Sequence, residues 1–158
     1  MSPAEKEAFE IEIAVAYTLG EAVQRVGRGA INVRDSVVVI DTLTNDIRGT
    51  RLRPPLSTDD FINGIDRLRL TLKTAGAKSI IVCQVKPMTM KDVRPYNDSL
   101  SVYLRGRRWG PYFWGLPTQI KHNHLKPDGF HVKRQFHWLV CETYARAVES
   151  ACTPQKDE

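Results

Sequence analysis

Two β-branched runs, Val37-Val38-Val39-Ile40 and Ser79 to Val85, flank a stretch with every mark of an amphipathic helix. A run that is apolar at successive positions has no polar face, so each predicts a strand buried on both sides, as in a parallel sheet. Between them, Ser57 or Thr58 supplies an N-cap, and Asp59 and Asp60 sit near the positive end of the helix. Phe61, Ile65, Leu68 and Leu72 form the core stripe, and Gly76 ends it. Strand, helix, strand in this order dictates a right-handed crossover and parallel pairing.

The pattern continues downstream. Pro87 closes the second strand, and a short helix around Leu100 and Leu104 is expected within 94–108. Tyr112 to Leu116 reads as a third, shorter strand. Val132 to Ala151 reads as a final helix burying Phe136, Leu139, Val140, Thr143, Tyr144 and Ala147. Upstream, residues 3–26 predict a helix: Pro3 suits a first turn, Phe9, Ile13, Ala16, Val23 and Val26 recur near helical spacing, and Gly27 and Gly29 break it. Asn32 to Ser36 is a connection. Thr42 to Leu56 is expected to be a loop, since Pro54-Pro55 opposes regular structure. The whole predicts one α/β domain, a three-layer α/β/α sandwich on a short parallel sheet. Residues 1–35 form a helix and connection, 36–152 the domain and 153–158 a disordered tail.

A chain of 158 residues, 42% apolar and 26% charged, can bury a core without metal or disulfide staples. No apolar run approaches the length needed to span a bilayer. Met1 to Glu7 lacks the layout of a signal peptide, so an intracellular protein, cytosolic or nuclear, is expected. Cys83, Cys141 and Cys152 are odd in number and widely spaced, and read as buried free thiols.

Chemistry in such sheets collects in the loops at the carboxyl ends of the strands. Thr42-Leu43-Thr44-Asn45-Asp46-Ile47 follows the first strand there, and Asp128-Gly129-Phe130-His131 precedes the last helix. Each is an ordinary turn former alone; their joint order and spacing are specific. Together they resemble the SGNH (GDSL-type) ester hydrolases, whose third block reads Gly-x-Asn-Asp and whose fifth reads Asp-x-x-His. Leu43-Thr44-Asn45-Asp46 matches the former except at its first position, and Asp128 to His131 matches the latter in full. Around Asn97 the chain also resembles the region where these enzymes carry an Asn before a helix. The resemblance covers Ser36 to Ala151 and implies an SGNH or flavodoxin-like fold truncated at its N-terminal strands. It implies His131 as general base, Asp128 as its orienting carboxylate, Asn45 as an oxyanion donor and Asp46 as support.

The nucleophile is missing. The family's Gly-Asp-Ser block has no counterpart, and Leu43 replaces the glycine of the Asn-Asp block. Arg34-Asp35-Ser36 half-resembles it, but Ser36 begins the strand leading to Asn45 and so lies five residues, about 17 Å, from that strand's carboxyl end. Three readings follow: a degenerate relative acting as a binding module, an esterase whose nucleophile comes from another chain or an upstream region, and a subunit that associates with itself or a partner through its open sheet edge.

A formal net charge of +5 and pI near 9.2 also admit nucleic acid. Arg105, Arg107, Arg108, Trp109, Lys133 and Arg134 lie in a basic and aromatic segment that suits single-stranded nucleic acid. His122-x-His124 is a poor metal chelate without a nearby cysteine or carboxylate pair, so no metal or other cofactor is expected.

Overall fold

The computed structural model describes residues 12–41, 44–105, 113–116 and 119–152, the last strand and the final three residues by backbone alone. Its elements are α1 (Leu19–Gly27), β1 (Val37–Ile40), α2 (Thr44–Arg48), α3 (Thr58–Thr74), β2 (Ser79–Cys83), α4 (Arg94–Leu104), β3 (Phe113–Leu116) and α5 (His137–Cys152). The fold is α/β. β2 is central, and both pairings are parallel, with Val37 opposite Ser79 and Ile80 opposite Phe113.

β2 is buried at all five positions, as its unbroken apolar run requires. β1 departs from expectation: Val37, Val38 and Val39 are only half-buried, because β1 is an edge strand among the described residues. Ile80 and Val82, of one parity, join a core with Leu19 and Val26 of α1, Phe61, Ile65 and Leu72 of α3, and Leu100 of α4. Burying each such side chain contributes about 1.5–3 kcal/mol. Gly64 lets α1 close on α3: a Cβ there would stand 3.0 Å from Leu19. α5 packs against β1 and β2 and buries Thr143 and Ala147, while its Leu139 joins a second small core with Ile120 and Leu125.

Ser57 caps α3 by accepting from the Asp60 N–H at 3.1 Å, and Gly76 leaves it at a φ of 92°. The N-terminal helix is shorter than expected. Residues 12–16 are not helical, and α1 starts only after Thr18; residues 3–11 lie outside the described residues. The expected loop 42–56 contains α2, because Pro54-Pro55 governs its own neighbourhood and not a turn six residues upstream. The last helix begins at His137, five residues later than Val132, behind a 3₁₀ turn at Arg134–Phe136. Among the described residues no helix is long and apolar enough to cross a membrane. The expected tail and the start of the third strand at Tyr112 lie outside the described residues.

Candidate functional site

Leu125 and Val132 form an isolated antiparallel bridge, and between them the chain folds back on itself. Lys126 N donates to His131 O at 2.7 Å and Gly129 N to Lys126 O at 2.9 Å, with Gly129 at a φ of 82° that favours glycine. One oxygen of Asp128 accepts the backbone N–H groups of Phe130 and His131, at 3.1 and 3.0 Å. Its other oxygen meets His131 Nδ1 at 2.6 Å. The turn thus locks the carboxylate against one ring nitrogen and leaves the imidazole, 63% exposed, free to present Nε2. That is what a carboxylate-oriented base needs.

His131, first among several donors, holds the Asp128 carboxyl down from its ordinary 3.8 to about 2. Because the folded value is depressed, the contribution is complete above pH 3.8 and is lost as pH falls toward 2. Carboxyl-carbon NMR of Asp128 is expected to show a midpoint near 2, moving part of the way back to 3.8 in His131→Ala. An unmoved midpoint would mean that the two side chains do not pair in solution.

Asn45 and Asp46 sit at the start of α2, beyond the carboxyl end of β1. Asn45 Nδ2 donates to Tyr17 O at 3.0 Å, and its Oδ1 accepts from Arg48 Nη2 at 3.2 Å. Asp46 is buried and accepts the Leu19 N–H at 3.0 Å, fastening the first turn of α1. Burial pushes its carboxyl up, against the pull of that N–H and of Arg53. Arg48 joins the two halves: its guanidinium lies 4.2 Å from the centroid of the Phe130 ring, which stacks 4.2 Å from that of His131. Asn45, Arg48, Phe130 and His131 therefore form one chain of contacts, so both expected halves of the site share the same end of the sheet.

Asn97 plays a structural part. Its side chain accepts from Val85 N at 2.7 Å and donates to Val85 O at 3.1 Å, anchoring α4 to the exit of β2. Ser36 precedes β1 at its amino end and donates to Arg34 O, far from Asn45. Leu43 lies outside the described residues. So do Arg107, Arg108 and Trp109 of the basic segment, while Arg105 and Arg134 are exposed and Lys133 half-buried. No group of ligands for a metal ion occurs among the described residues. Cys83 is buried, its thiol pushed up to about 12 by burial and by Asp41. Cys141 corrects expectation: it is exposed, on α5. The side chain of Cys152 is not described.

Sequence reasoning missed Thr18. It caps α1, accepting the Glu21 N–H at 3.1 Å, and the carbonyl of its neighbour Tyr17 takes the Asn45 hydrogen bond. The signal was Thr18-x-x-Glu21, a capping-box pattern inside a stretch otherwise readable as helix.

No family model matches the chain, and no curated protein matches it. Among solved structures it is similar to a carbohydrate esterase family 3 protein from Talaromyces cellulolyticus, with a TM-score of 0.59 and 11% identity over 83% of this chain. The chain spans 64% of that protein's length. At that identity the likeness concerns the fold, and it supports an SGNH-like α/β architecture.

Proposed function

We propose that this chain is an SGNH-type ester-hydrolase-like domain, a three-layer α/β/α sandwich, that binds its ligand without hydrolysing it unaided. The observation that carries this reading is the state of the Asn45 amide. An oxyanion donor must be free to meet developing charge, and losing one such donor costs about 3–4 kcal/mol of transition-state stabilisation. Here one Nδ2 proton goes to Tyr17 O and Oδ1 accepts from Arg48, which fixes the orientation of the amide and leaves a single N–H over, while the Asp128–His131 pair is fully built. A base pair with no Gly-Asp-Ser serine in the sequence, beside an amide already held by Tyr17 and Arg48, supports a retained binding crevice rather than turnover.

Thr18 favours a second reading, in which its hydroxyl is the acyl acceptor. Hydrolysis of p-nitrophenyl acetate and labelling with a fluorophosphonate separate the two. Wild type and His131→Ala are expected to share the same background rate, with no hydroxyl labelled. Turnover lost in both His131→Ala and Thr18→Ala, with the label on Thr18, would establish the second reading and remove the first.

A further inference from the structure

Between the two halves of the site stands a cation without a counter-ion among the described residues. Arg48 ends α2, with its guanidinium on the Phe130 ring and one nitrogen on Asn45 Oδ1. Its Nε is shut off from solvent and has no acceptor among the described residues. The ion pairs among those residues join Arg69 to Asp66, Lys86 to Asp41, Arg94 to Asp92 and His131 to Asp128, none involving Arg48. The adjacent carboxylate, Asp46, is turned to Leu19 N. A second cation stands close by: Lys91 Nζ donates to Ile47 O, on the residue before Arg48, at 2.9 Å.

The carbonyl ends of a one-turn helix carry only partial negative charge, which leaves most of the guanidinium uncompensated. A buried N–H without an acceptor is unfavourable, so this pose is one that a better partner displaces. A carboxylate matches the guanidinium fork in charge and in planar geometry.

We propose that Arg48 recognises the free carboxylate of an anionic ester or acid bound between Asn45 and His131, and that binding draws the guanidinium off Asn45. This rests on reading Asn45 and His131 as one site, and it adds the ligand class. Releasing Oδ1 removes one of the two contacts that orient the Asn45 amide and leaves the Nδ2 bond to Tyr17 O, so occupancy by an anion loosens that side chain.

The test uses two esters of one carbon skeleton, monomethyl succinate, which is anionic, and dimethyl succinate, which is neutral. Each is titrated into the protein while the Asn45 side-chain amide and the His131 ring are followed by NMR. The monoester is expected to bind at least about tenfold more tightly than the diester, and Arg48→Gln to lose about tenfold, with partial retention in Arg48→Lys. Added salt weakens the monoester alone. Equal binding of both esters, binding of neither, or unchanged affinity in Arg48→Gln overturns the proposal.

Should Arg48→Gln fail to fold, Phe130→Leu removes the ring seat and keeps the charge. It is expected to hold the monoester at least as well as wild type, and weaker binding overturns the proposal. Only binding is read here. Turnover of both esters without charge preference would overturn this inference and the non-hydrolysing reading separately.

Discussion

Gly129→Ala is expected to lower stability by about 3 kcal/mol and to dissolve the Asp128–His131 pair together with its turn. Two costs add at this residue. A side chain at a φ of 82° is strained by about 1–2 kcal/mol. The new Cβ would also overlap Thr89 Oγ1 and stand 2.9 Å from Thr89 Cβ. Thr89 has little freedom to retreat, because its N–H donates to Gly129 O at 2.8 Å. Overpacking of that kind adds about 1–3 kcal/mol.

Urea unfolding checks the stability, and Asp128 carboxyl titration checks the turn, whose loss returns the midpoint toward 3.8. Pairing Gly129→Ala with Thr89→Gly is expected to recover the steric part and leave the backbone part. A single variant within about 1 kcal/mol of wild type would mean that the turn relaxes freely, and that Thr89 does not hold the site in place.

The elements that could be read from the chain are those whose signals are local. For α3 the Ser57 cap, the Phe61 to Leu72 stripe and Gly76 all point one way, and for β2 both parities are apolar. The N-terminal region misled because Ile13 and Ala16 keep helical spacing with Val23 and Val26 inside a segment that is not helical. The start of α1 is marked locally by the Thr18 cap and fastened by a contact 27 residues away, Leu19 N on Asp46, which no local pattern contains. The same holds for the site. The residue types of Asp128 and His131 and their three-residue spacing carry their own geometry, so that half was legible. The role of Asn45 depends on Tyr17 and Arg48, and Arg48 on Phe130, partners that only the fold assembles. Cys141 shows the limit of residue type as a guide: cysteine is usually buried, but its place on α5 faces outward.

Arg69→Ala is expected to cost about 3 kcal/mol, although the residue lies away from the site. Arg69 is a charged side chain only 2% exposed, placed on the inner face of α3 among Phe61, Ile65, Leu68 and Leu72. Its Nη2 meets Asp66 Oδ1 at 3.1 Å, and its Nε donates to Tyr103 Oη at 3.2 Å, with Tyr103 in turn donating to Asp66. The three side chains tie α3 to α4. Burial and then the Asp66 carboxylate push the Tyr103 hydroxyl up to about 12, so its stabilising contribution is complete below pH 10 and is lost as pH rises through 12. Truncating Arg69 removes the cation that Asp66 and Tyr103 both meet and opens a cavity beside them. Asp66, 38% exposed, recovers part of its hydration, which sets the cost at the low end for a broken buried pair. Arg69→Met fills the space but breaks the same contacts, and it is expected to recover only the packing part of the loss in urea unfolding. Equal losses in the two variants would assign the whole effect to the lost Arg69 contacts with Asp66 and Tyr103 and none to packing. A negligible loss in both would show that the α3–α4 contact stands on Phe61, Leu100 and their apolar neighbours alone.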